Sequence, residues 1–113
     1  TRSRALFSAD SFGALMQEPA DAAAGMAPGA LRDGMVTWAT VDAPWLDLVD
    51  ARRHDASLNR VRRLDPALVL SGHLPPAAAM TDTLLDHLAA ARTAPPFEGP
   101  DHAALERLME GAA

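Results

Sequence analysis

Two short apolar runs and several stretches of helical periodicity organise the chain. Ser3 to Ala9 predicts a short strand with Leu6 and Phe7 at its centre. It closes in Asp10-Ser11-Phe12-Gly13, where Asp10 or Ser11 suits a helix N-cap or a tight turn. Gln17 to Gly29 is rich in Ala and Pro and reads as a loop or a weakly helical excursion. From Ala30 the spacing of Leu31, Met35 and Trp38 predicts a helix with Met35 and Trp38 on one buried stripe. Pro44 breaks it, because the residue before a proline is biased away from helical dihedrals, and Pro44 suits the first turn of a new helix through Asp50. Ala56 to Leu64 continues helical, with Leu58, Val61 and Leu64 inward and the arginines outward. After Asp65-Pro66, the run Ala67-Leu68-Val69-Leu70 is too short for a helix and predicts a strand buried on both faces. Ser71 to Pro76 reads as a loop, and Ala77 to Ala91 as a helix with Met80, Leu84, Leu88 and Ala91 in register. A Pro-rich connector from Thr93 to Pro100 leads to a last helix, capped by Asp101, with Leu105, Leu108 and Met109 on its apolar face.

The predicted order is strand, helices, strand, helix, helix. Two strands do not make a stable sheet alone, and a run as apolar as Ala67–Leu70 needs neighbouring strands. The expectation is an α/β domain whose sheet is larger than this chain, with residues 1–113 forming its C-terminal half. The opening Thr-Arg-Ser-Arg-Ala-Leu-Phe reads as a chain cut in mid-strand. The rival is a self-contained helical domain in which both runs are extended connectors, serving as a non-catalytic interaction module.

Composition narrows the function classes. At 113 residues the chain suits one domain with one modest core. There is no cysteine, which excludes disulfides, thiolate zinc sites and cysteine nucleophiles. A net charge of −5 argues against binding a phosphate backbone. Arg52, Arg53, Arg60, Arg62 and Arg63 cluster, but Asp47, Asp50, Asp55 and Asp65 are interleaved, so the expected reading is a solvated helix face. No apolar run approaches the roughly 18 residues that a membrane span needs, and a cytoplasmic setting is expected.

Asp10 and His73 are the candidate functional residues, because each follows a predicted strand, where loops present side chains without breaking a sheet. A carboxylate can bridge two divalent metals, and a neutral imidazole gives one directional bond. Gly72 would let the backbone turn sharply, and Pro75-Pro76 would stiffen the loop beyond it. Each residue also has a plain structural reading: Asp10 as an N-cap of the Phe12–Met16 turn, His73 as a hydrogen-bonded loop residue. His54, His87 and His102 fall outside any ligand pattern, and no phosphate loop, Gly-x-Gly-x-x-Gly or Gly-x-Ser-x-Gly occurs.

Leu6-Phe7-Ser8-Ala9-Asp10-Ser11-Phe12-Gly13 and Val69-Leu70-Ser71-Gly72-His73-Leu74-Pro75-Pro76 resemble the last two ligand-bearing segments of metallo-β-lactamase-fold proteins. The nearest branch is the oxygen-binding di-iron domain of flavodiiron-type proteins and its hydrolase relatives. Trp38 to Trp45 and Pro96 to Asp101 add to the likeness. The resemblance implies an αββα sandwich with a dinuclear metal site. In it Asp10 would bridge two divalent ions, iron or zinc, and His73 would ligate one of them. It implies an oxidoreductase drawing electrons from a flavin on another domain or partner, or a metal-dependent hydrolase of a small-molecule substrate. The family's remaining ligands, in a His-x-(His/Glu)-x-Asp-His segment and one further histidine, have no counterpart here. The missing N-terminal half of the domain is therefore the implied partner, a homodimer is compatible with it, and this chain alone is not expected to catalyse a reaction.

Overall fold

The computed structural model describes residues 4–111, so the expected strand start at Ser3 and the opening Thr1 to Ser3 lie outside the described residues. Three strands form one sheet: β1 (Ala5–Ala9), β2 (Leu68–Ser71) and β3 (Leu74–Ala78), in the order β1-β2-β3. β1 runs parallel to β2, and β2 antiparallel to β3. Four α-helices accompany them: α1 (Pro28–Asp42), α2 (Ala51–Leu64), α3 (Thr81–Ala91) and α4 (His102–Gly111). Single 3-10 turns at Ala23–Gly25 and Leu46–Leu48 fill the connections.

Sequence chemistry explains most of the boundaries. Pro28 opens α1 in its first turn, where its missing N–H is no loss. Asp50 caps α2 by accepting from the Arg53 backbone N–H, and Asp65 ends that helix in the left-handed region at φ 47°. Asp101 accepts from the Ala104 backbone N–H at the start of α4. The second helix expected from Pro44 to Asp50 shrinks to the Leu46–Leu48 turn, and α2 instead starts at Ala51. Leu64 is 70% exposed because it turns about 60° past Val61, away from Leu58, on the helix circumference.

The largest departure from the sequence reading is β3. Leu74-Pro75-Pro76-Ala77-Ala78 pairs with β2 through Leu74, Ala77 and Ala78, so neither proline needs a backbone donor. An edge strand tolerates proline on those terms. The helix predicted from Ala77 accordingly starts only at Thr81, after Ala79 reverses the chain at φ 55°.

Residues paired across the sheet share a face. The row Leu6–Val69–Ala77 faces the helices and joins Leu31 and Met35 of α1, Leu58 and Val61 of α2, and Leu84 and Leu85 of α3 in one core. Met35, Val69, Leu84 and Leu85 are fully buried. The other face carries Ala5, Leu68 and Ala78 in one row and Phe7 with Leu70 in the next, and Phe7 is 77% exposed. β2 is thus buried on one face rather than two.

The expected αββα sandwich does not form. Helices, 3-10 turns included, hold 52% of the described residues, and the described strands make one open three-stranded sheet with helices on one side. A sandwich needs two sheets face to face. The fold is a small, predominantly helical domain with a short open sheet, and the likeness to metallo-β-lactamase segments does not extend to the architecture.

Candidate functional site

The parallel register of β1 and β2 sets the site. Ala5, Leu6, Phe7 and Ala9 align with Leu68, Val69, Leu70 and Ser71, so both strands end at the same level of the sheet. Asp10 follows β1 directly, and His73 occupies the two-residue turn between β2 and β3. His73 Nε2 lies 3.1 Å from Asp10 Oδ1, with the two side chains 45% and 67% exposed.

Several bonds fasten this end of the molecule. The Gly72 backbone N–H donates to Ala9 O at 2.7 Å, and the Ser71 hydroxyl donates to the same oxygen at 3.1 Å. The Ala14 N–H donates to His73 O at 3.0 Å, which ties the loop after β1 to the hairpin turn. Trp38 of α1 braces both halves. Its indole N–H donates to Asp10 O at 2.9 Å, and its ring packs against the His73 ring with centroids 4.3 Å apart and planes tilted by 35°. Gly13 makes room for that indole, since a Cβ there would collide with Trp38.

The backbone around Asp10 is under strain. Ala9 and Phe12 hold positive φ values of 52° and 63°, which cost L-residues roughly 1–2 kcal/mol each. Phe12 is repaid by burial, being 5% exposed. Phe12 and Gly13 thus belong to an irregular turn rather than a helix, so Asp10 has no helix to cap. Gly72 contributes no special freedom either, because among the described residues no glycine has a positive φ.

Sequence reasoning brought out Asp10 and His73, and the structure places them side by side. It did not find Trp38 as their brace. The signal was available only as a tryptophan near the end of a helix, which periodicity assigns to the core. The remaining histidines stay apart from the pair: His102 pairs with Glu106 on α4, and His87 lies half-buried on α3. A cavity of about 160 Å³ lies at the opposite end of β2, between the end of α2 and the start of α3. Its arginine, Arg62, is already engaged by Asp82 and Asp86.

Among the described residues no group of three or more His, Cys, Asp or Glu side chains is placed to hold a metal ion. Catalytic zinc takes three protein ligands, and two-metal centres take more. The dinuclear centre implied by the resemblance is therefore not formed among the described residues, and the rival reading of a helical domain fits the structure better. No protein-family model matches the chain, and no curated protein or solved structure matches it. No helix of the described residues is long and apolar enough to cross a membrane.

Proposed function

We propose that this chain is a helix-rich interaction domain that docks through its bare sheet face and the free edge of β1. The observation that carries this reading is Phe7, 77% exposed beside Leu70 in a sheet whose opposite face is covered by helices. The exposed rows contain no charged residue, and an uncharged edge strand with open backbone groups is a template for pairing with another strand. The size of the face indicates the occupant. Three strands of about five residues present roughly 240 Å² at the usual strand spacings. A stable interface takes about 800 Å² per partner. Stacking two copies face to face is therefore too small, and the fitting partner is a sheet that also adds a strand to β1 and continues the ladder. The cytoplasm is the proposed setting, in keeping with a chain that carries no cysteine.

The experiment compares the isolated protein with Phe7→Lys by light scattering over a concentration series and by binding of a hydrophobic dye. The expected result is weak, concentration-dependent self-association of the wild type, since the face is far below the area of a stable interface, and dye emission several-fold above that of the variant. Far-UV circular dichroism should be the same for both. If wild type and variant scatter and bind dye identically, the face is not a docking surface.

A second reading rests on the 3.1 Å approach of His73 Nε2 to Asp10 Oδ1. We propose that the pair can supply two ligands to one divalent ion, zinc or iron, with the remaining ligands coming from a docked partner. A two-ligand site binds weakly on its own, because it supplies only part of the ligand set that a closed or catalytic site provides. Calorimetric titration with Zn²⁺ should show that His73→Gln and Asp10→Asn each weaken binding about tenfold. An unchanged titration in either variant excludes the pair as ligands.

A further inference from the structure

We propose that Arg52, Arg53, Arg60 and Arg63 on α2 form a docking stripe for an acidic helical segment of a partner protein. This surface is separate from the bare sheet face and from the Asp10–His73 pair. At about 100° per residue the four arginines fall within an arc of about 100° on α2, facing away from the Leu58 and Val61 that join the core. All four are exposed. They form two pairs whose midpoints lie about 13.5 Å apart along the axis, with the small Ala56 between them.

Two features distinguish the stripe from an ordinary solvated face. The chain has acidic partners to spare, with 15 Asp and Glu against 10 basic residues. Arg4, Arg32 and Arg62 each find one, in Asp65, Asp33, and Asp82 with Asp86. Among the described residues none of the four stripe arginines is ion-paired; Arg92 and Arg107 are unpaired too, and what sets the stripe apart is four such arginines on one arc of one helix. The interleaving of charges along the sequence also separates on the helix. Asp50 and Asp55 lie about 60° beyond either edge of the arc, leaving an acid-free strip between them.

Charge and geometry together select the partner. Guanidinium groups grip carboxylates with paired hydrogen bonds, so two arginine pairs about two and a half turns apart reach two carboxylate pairs seven or eight residues (about 10.5–12 Å) apart on a facing helix, the long arginine side chains spanning the difference. The flanking Asp50 and Asp55 and the net charge of −5 oppose a wide polyanion such as a nucleic-acid duplex, which would overlie the acidic borders. A single helix is narrow enough to stay on the strip.

The test is fluorescence anisotropy of the full chain with a labelled 14-residue helical peptide carrying two Glu-Glu pairs seven residues apart. Controls are the same peptide with Gln for every Glu and a 14-nucleotide single-stranded DNA. The Glu peptide should bind at low salt, weaken at least tenfold between about 25 and 300 mM salt, and exceed the Gln peptide at least tenfold. The combined variant Arg52→Gln, Arg53→Gln, Arg60→Gln and Arg63→Gln should lose that binding. Replacing the same four by Lys should retain only part of it, because the charge stays and the fork goes. Equal binding of the Glu and Gln peptides overturns the proposal and needs no folded variant. Tighter binding of the DNA than of the Glu peptide also overturns it.

Discussion

Trp38 joins three parts of the molecule at one ring: α1, which carries it, the loop at Asp10, and the hairpin turn at His73. Its place depends on the absence of a side chain at Gly13. Gly13→Ala should push the indole out, break its bond to Asp10 O, and destabilise the fold by about 1–3 kcal/mol, the usual cost of overpacking. Urea unfolding measures the loss, and Trp38 emission in a Trp45→Phe background should shift to the red. Four residues earlier the opposite sign is expected. Ala9 sits at φ 52° in the left-handed region, where a glycine carries no steric penalty. Ala9→Gly should therefore stabilise by about 0.5–1 kcal/mol, the relieved strain exceeding the entropy of a freer unfolded chain. The midpoint of the same unfolding curve gives the answer, and a fall in midpoint would show that the strain at Asp10 is not stored at Ala9.

At the scale of elements, α3 carries a titration that links it to α1. His87 has a pKa below its ordinary 6.5, first because it is partly buried and then because Arg32 of α1 repels its proton, with Asp86 opposing weakly. The folded state thus favours the neutral ring, while the unfolded chain takes up a proton near pH 6.5. Stability contributed by the neutral ring is present above that pH and is lost as pH falls below it. The unfolding midpoint should drop between pH 7.5 and 5.5 by less in His87→Gln than in the wild type. Equal drops would remove His87 from the account. The elements themselves were unevenly legible. α1 and α4 follow from proline, capping aspartates and apolar spacing, all of which act within a few residues. β1 and β2 were visible as short apolar runs ending in Asp10 and near His73. β3 was not, because two prolines read as loop, and only a partner strand offering bonds away from them makes a strand possible. The site was half legible for the same reason. Residue type and strand-end position brought out Asp10 and His73, whereas Trp38 reaches them across 28 and 35 residues of sequence, a contact that no local pattern reports. The same residues that suggested a family carried no information about the face opposite the helices, and that face decided the architecture.

At the scale of the molecule, stability and interaction are two aspects of one layer arrangement. All three packed helices lie on one side of the sheet, so each strand gains apolar burial from one face only. β1 has the least support, because it is an edge strand whose second face exposes Phe7. Its five residues are held by β2 alone on one edge and by Leu6 beneath. α3 lies at the other extreme, with Leu84 and Leu85 fully buried and α1 and α2 both packed against it. Local opening follows such differences in buried contact. Native-state hydrogen exchange should therefore show β1 amides opening at a lower free energy than those of α3, by about 2 kcal/mol or more in a domain whose whole stability is on the order of 5–10 kcal/mol. Met35→Ala provides the calibration. It empties a fully buried core position and should lower α3 protection by about 2–5 kcal/mol, while changing β1 little if β1 opens locally. If β1 instead loses protection in step with α3, the two exchange through a single global unfolding. The sheet edge would then be as well supported as the core, and the case for a docked strand over Phe7 would lose its energetic basis.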